Sequence, residues 1–145
     1  MTYYTITNSP IGRLLLSSDG ERLTGLHMMD GPHSSGIDRS WTRCDSAAPF
    51  EEARQQLTSY FRGELKDFAL PMSLAGTEFQ RRAWQELTRI PYGETISYSE
   101  QARRMGSPAA SRAVGLANGR NPIAVIVPCH RVIGANGKLT GFGGG

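Results

Sequence analysis

Cys129 stands between Pro128 and His130, with Arg131 next in line. A thiol becomes a nucleophile only as its thiolate, and neighbouring imidazole or cationic groups favour that form. Adjacent residues on an extended strand point to opposite faces, so the sulfur meets His130 only if the chain turns irregularly at Pro128. Three uses compete for such a cysteine. It can be a small buried hydrophobe without a chemical role. It can attack an electrophile with His130 as its base. It can ligate a metal, although the three histidines, His27, His33 and His130, show no clustered spacing. The reading is therefore no metal. Cys44 has no comparable neighbours and is assigned no role.

The elements that must position Cys129 follow from the flanking sequence. Residues 123–127 are aliphatic without alternation, which predicts a fully buried strand running into the cysteine. Asn121-Pro122 breaks the chain before it. Further upstream, Ser97-Tyr98-Ser99-Glu100 has the pattern of a capping box and opens a short helix ending at Gly106. Ser107 is placed to cap a following helix with Pro108 at its first position, over residues 109–118, closing at Gly119. Two short helices joined by a tight glycine-containing turn are the pattern of a helix-turn-helix. The second helix is built from small residues, Ala109, Ala110, Ala113, Gly115 and Ala117, with Arg112 and Arg120 as its long side chains. Close packing in a core and close approach to a nucleic-acid backbone both account for that composition. Downstream, Ala135-Asn136-Gly137-Lys138 carries the Asn-Gly hairpin signal, which behind a helix-turn-helix forms a wing.

The first 30 residues predict an antiparallel meander. Tyr3, Tyr4 and Ile6 open one strand, Leu14-Leu15-Leu16 a second, and residues 23–29 a third, with turns at Asn8 to Gly12 and Ser18-Asp19-Gly20. Residues 30–48 are rich in Gly, Ser, Asp and Pro and read as an exposed loop. Phe50, Ala53, Leu57, Tyr60 and Phe61 share one helical face that Gly63 closes. After an extended stretch at residues 68–72, Thr77-Glu78-Phe79-Gln80 is a second capping box. Its helix carries Phe79, Ala83, Trp84, Leu87 and Ile90 inward and stops at Pro91-Tyr92-Gly93. The composition shifts near residues 72–76, dividing the chain into residues 1–72 and 73–145.

Composition narrows the function classes. The 145-residue chain has a net charge of +3, too weak by itself to imply a nucleic-acid partner. Split by halves, residues 1–75 carry seven basic and nine acidic side chains, a net of −2, and residues 76–145 carry nine and four, a net of +5. Fourteen of the sixteen basic residues are Arg, suited to bidentate contacts with phosphates and bases. Two cysteines cannot build a disulfide framework. No apolar run approaches a membrane span, and the N-terminus lacks a signal-peptide pattern, so a cytoplasmic protein without membrane contact is expected.

The residues around Cys129 resemble a known family. Pro128-Cys129-His130-Arg131-Val132-Ile133-Gly134, with Ala113-Val114-Gly115, Asn121-Pro122 and Gly141-Phe142-Gly143-Gly144, is similar to the O6-alkylguanine-DNA alkyltransferases of the bacterial, single-function type. Ile90-Pro91-Tyr92-Gly93-Glu94 and Ser97-Tyr98 match as well. The resemblance implies an α+β protein: an N-terminal ribonuclease-H-like α/β domain with a small antiparallel sheet, then a helical domain with a winged helix-turn-helix. It implies irreversible transfer of the alkyl group from O6-alkylguanine, and more weakly O4-alkylthymine, to Cys129, without a cofactor. His130 would deprotonate the thiol through a water, Tyr98 would donate to the guanine oxygen, and Asn121 would orient the cysteine. Arg112 would fill the stack after the base flips out. Ala109, Ala110, Ala113, Gly115, Ala117, Gly119 and Arg120 would lie against the minor groove, where the hydrogen-bond code is degenerate. Val132, Gly141, Phe142 and Gly143 would line the base pocket. The implied partner is double-stranded DNA containing alkylated bases, bound by a monomer able to cluster along the duplex.

Two departures accompany the resemblance. Phe142 stands where the family commonly has Tyr. No residue up to Gly145 matches the family's C-terminal glutamate that orients the histidine, and three terminal glycines read as a truncated or disordered end. A chain ending there is expected to hold a less reactive Cys129. The alternative function is a non-repairing relative that binds alkyl lesions. A cysteine hydrolase is the third reading, without an apparent oxyanion site.

Overall fold

The computed structural model describes residues 1–30 and 36–134. The chain divides into two compact units, Met1–Leu74 and a second that begins at Ala75. In the first, β1 (Tyr3–Ser9), β2 (Gly12–Ser18) and β3 (Leu23–Met28) form the expected antiparallel meander. Gly12 supplies the first turn with φ 107°, a backbone region in which a side chain is strained. Leu14, Leu15 and Leu16 are all fully buried, so β2 is covered on both faces rather than one.

The stretch predicted as an exposed loop contributes a strand. Thr42–Arg43 (β4) pairs parallel to β1 at Tyr3 and Tyr4, completing the order β3-β2-β1-β4. Two residues carry no periodicity, and the unpaired edge of β1 dictates their conformation. Asp45 then accepts from the buried Thr5 hydroxyl at 2.8 Å, and Cys44 donates its N–H to Tyr4 O at 3.0 Å. Helix α1 (Phe50–Phe61) buries Phe50, Ala53 and Leu57. It ends as the glycine predicts: Glu64 N–H reaches Ser59 O and Gly63 N–H reaches Tyr60 O, with Gly63 left-handed at φ 75°.

The second unit is mostly helical. Helix α2 (Glu78–Leu87) has the complete Thr77–Gln80 capping box and buries Ala83, Trp84 and Leu87. Trp84 Nε1 donates to Ala117 O at 2.8 Å, and its ring covers Gly76 so closely that a Cβ there would lie 2.6 Å from the indole. Helix α3 (Tyr98–Arg104) takes half of its predicted capping box: Ser97 accepts from Glu100 N–H, while the Glu100 carboxylate turns instead to Arg103. Helix α4 (Ser111–Gly119) begins two residues later than predicted. Ser107 and Pro108 form a turn in which Ala110 N–H bonds Ser107 O at 2.9 Å, and Ala110 caps the helix without a side-chain bond.

α3 and α4 are joined by a buried amide pair. Gln101 Nε2 donates to Asn118 Oδ1 at 3.1 Å, and Asn118 Nδ2 returns to Gln101 Oε1 at 2.7 Å. Gln101 also reaches Ala83 O of α2 at 3.0 Å. Buried polar atoms satisfied on three helices fix one relative placement, because slippage would leave them unpaired. The parallel pair β5 (Ile96–Ser97) and β6 (Val132–Ile133) ties the start of α3 to the chain leaving Cys129. The Asn136-Gly137 hairpin lies outside the described residues.

Candidate active site

The predicted strand at 123–127 is a compact double turn, and this correction makes the site. Ile123, Val125, Ile126 and Val127 are buried as expected, but the amides of Ile126 and Val127 close on carbonyls within the same run. Ile126 N–H bonds Ala124 O at 2.8 Å, and Val127 N–H bonds Ile123 O at 3.0 Å. Val125 between them has φ 70°, a left-handed backbone that a β-branched residue adopts at a cost of about 1–3 kcal/mol. Burial of its side chain and the flanking bonds hold it there. An aliphatic run without period suits both a buried strand and a buried turn, so the pattern alone could not separate them.

Asn121 staples this turn. Its Oδ1 accepts from Ile123 N–H at 3.0 Å, and its Nδ2 donates to Val127 O at 2.6 Å. The chain then bends at Pro128 (φ −85°, ψ 70°), with Cys129 N–H bonded to Val127 O at 2.9 Å, into the single 3-10 turn Cys129–Arg131. The irregular turn at Pro128 that the chemistry requires is therefore present.

Cys129 is 9% exposed. Burial pushes its thiol up from the ordinary value of 9.0, opposed by the Asn121 amide and the N–H groups of Cys129 and His130, which favour the thiolate. The expected help from Arg131 does not arise. Its guanidinium donates to Ile90 O at 2.7 Å and lies over the Tyr92 ring, 5.7 Å from the centroid, and it is itself buried. It shapes the 90–93 turn instead. His130 is half-buried, and burial, then the Arg131 charge, holds its imidazole below 6.5. It is thus neutral at pH 7, the form able to take a proton.

The remaining predicted residues fall into three groups. Tyr98 opens α3 half-buried, packed on the cluster of Ala83, Ala102, Met105, Val114 and Ala117. A methyl added to Gly115 would meet its ring at 3.7 Å. Among the described residues no hydrogen bond joins Tyr98 to Cys129. Val132 is buried in β6. Gly141, Phe142 and Gly143 lie outside the described residues.

α4 separates its small residues by face. Arg112, Ala113, Gly119 and Arg120 are exposed, as is Ala109 in the preceding turn. Ala110 and Gly115 are half-covered. Ala117 is 3% exposed inside the core, its carbonyl taken by Trp84, so it cannot be a surface contact. Leu116, not singled out from sequence, takes its place on the outer face at 67% exposure. Placing Arg112 and Leu116 on one face needs only the i, i+4 spacing, and Arg120 follows as the cap of the helix. Among the described residues no cluster of three or more His, Cys, Asp or Glu could hold a metal ion, and no helix is long and apolar enough to cross a membrane.

Comparison with known proteins accounts for both units. Residues 2–74 match the ribonuclease-like domain of 6-O-methylguanine DNA methyltransferase, and residues 78–145 match the DNA-binding domain of the same family. A Methanosarcina acetivorans methylated-DNA–protein-cysteine methyltransferase is 54% identical over 99% of this chain and 90% of its own. The crystal structure of Mycobacterium tuberculosis O6-methylguanine methyltransferase superposes with TM-score 0.91 at 53% identity, covering 100% of this chain and 86% of that one. Mycobacterium tuberculosis OGT in complex with DNA gives TM-score 0.90 at 53% identity, with 99% and 85% covered. With both of its units matched and half of its residues identical to those relatives, the chain belongs to the 6-O-methylguanine DNA methyltransferase family.

Proposed function

We propose that this protein repairs alkylated DNA by transferring the alkyl group from O6-alkylguanine, and more weakly from O4-alkylthymine, to Cys129 in a single turnover. The observation that carries this reading is the Asn121-stapled turn, which bends the chain so that the buried Cys129 opens a 3-10 turn with a neutral imidazole next in line. His130 takes the thiol proton, the sulfur electron pair forms the S–C bond, and the C–O6 bond breaks with its pair on guanine. A donor at O6, for which Tyr98 is the candidate, supplies hydrogen to the leaving base. A thiol whose pKa is raised suits attack coupled to proton removal, since it is protonated until the substrate arrives.

Double-stranded DNA is bound from the minor groove by the outer face of α4, with Arg112 filling the stack left by the flipped base. Residues 73–145 act as the DNA-binding and alkyl-acceptor domain and residues 1–72 as its α/β companion, in a monomer working where the cytoplasm holds the DNA. No cofactor enters this scheme. Incubation with a duplex containing O6-methylguanine, followed by digestion and mass measurement of the Cys129 peptide, tests it. One stable methyl adduct per chain is the expected result. Tight lesion binding without an adduct would favour a non-repairing relative, and repeated turnover a hydrolase.

A further inference from the structure

The outer face of α4 combines two charges and one apolar side chain. Arg112 and Leu116 stand one turn apart on α4, the exposed Arg120 caps its end, and Ala113 and Gly119 leave Leu116 standing clear at 67% exposure. Val114, Ala117 and Asn118 point the other way into the core. The buried Gln101–Asn118 pair holds this orientation, so Leu116 cannot turn inward without breaking two hydrogen bonds. A leucine held in water between two guanidiniums matches a partner with an anionic rim and an apolar interior. The phosphate rails and sugar-lined floor of a DNA groove have that chemistry, whereas an acidic protein surface offers the charge without the apolar floor.

We propose that Leu116 is an apolar wedge seated in the minor groove one helical turn from Arg112, holding the groove open where the damaged nucleotide leaves the stack. This deepens the repair reading and rests on it. Apolar side chains inserted in a minor groove unstack a base step and bend the duplex, and the contact releases no counterion. Leu116 therefore adds affinity that salt does not remove, while Arg112 and Arg120 supply the salt-dependent part.

The test compares the full-length protein with Leu116→Ala, Leu116→Met and Arg120→Ala on a short duplex, the matching single strand and free O6-benzylguanine. Leu116→Ala is expected to weaken duplex binding about tenfold, from the lost apolar burial, with the slope of log affinity against log salt unchanged. Its rate on duplex, divided by its own rate on the free base, falls by a similar factor. Leu116→Met restores both, and Arg120→Ala lowers the slope by about 1. The wedge is overturned if Leu116→Ala changes duplex affinity less than about twofold, weakens the single strand equally, or alters the salt slope as Arg120→Ala does. Failure of the repair reading is separate: the wild-type chain would then form no Cys129 adduct, and the affinities for unmodified duplex would still decide the role of Leu116.

Discussion

The two cysteines sit in different kinds of turn, one held by a sheet and one by a side chain. Cys44 follows the edge strand β4, half-buried, with Ser46 Oγ 3.7 Å from its sulfur and its N–H committed to β1. The Ser46 hydroxyl is the hydrogen-bonding group at that sulfur among the described residues. Cys129 is more deeply buried, yet the Asn121 amide and the N–H groups of Cys129 and His130 favour its thiolate against that burial, and a neutral imidazole follows it. The surroundings of Cys129 work in two directions, burial against the thiolate and the Asn121 amide for it, so exposure alone does not describe the difference between the two cysteines.

The largest break in that comparison is removal of either sulfur. Cys129→Ser should abolish adduct formation with O6-benzylguanine, while Cys44→Ser keeps the wild-type stoichiometry; an adduct on the Cys44 peptide would reverse the assignment. Next comes Asn121→Ala, which removes the staple of the 123–127 turn. The adduct rate should fall by at least ~10-fold, on the scale of losing one hydrogen bond to a charged group, about 1.5–3 kcal/mol. A wild-type rate in a folded variant would show that the turn holds itself.

Acidity probes the same contrast with a smaller effect. Because burial raises the Cys129 thiol above 9.0, its reaction rate should keep climbing as pH rises through the ordinary thiol range. A plateau reached below neutrality would contradict the buried environment. Stability moves in the opposite sense there. The folded state binds the thiol proton more tightly than the unfolded one, so stability falls as pH rises from the ordinary thiol value toward the raised one. At the other end, His130 is held below 6.5, and stability falls as pH drops from there through the lowered value. Urea midpoints across the range read both limbs. The smallest effect belongs to the Cys44 side: Thr5→Val removes the hydroxyl bonded to Asp45 and should cost under about 1 kcal/mol, since the carboxylate left behind is solvated. The adduct rate of this variant should match the wild type.

Elements with local causes were legible in the residues. The Thr77–Gln80 box and Gly63 at the end of α1 depend on bonds within a few residues, the three strands of the meander pair with their neighbours in sequence across short turns, and all appear where expected. β4 was not legible, because its two residues are strand only through β1. The start of α4 moved for a related reason: Ser107 N–H is spent closing α3 on Ala102 O, and Gly106 turns left-handed at φ 78°, which sends the chain through a turn before the next helix. The outward side of α4 depended on Trp84 and Gln101 claiming the inward side.

By itself the sequence determined the chemistry on offer: a thiol, an imidazole and an asparagine in the order Asn121, Cys129, His130, behind a basic helical half. That much is local and compositional. Only the tertiary structure decided how the thiol is tuned and where the arginine goes. Buried between turn and helix, Cys129 pays desolvation that its charged neighbours in sequence do not offset, because Arg131 is drawn away to the Ile90 carbonyl. The Val125 turn is likewise a tertiary outcome. Its left-handed backbone persists because Asn121 and the packed side chains around it leave the chain no cheaper path to Cys129.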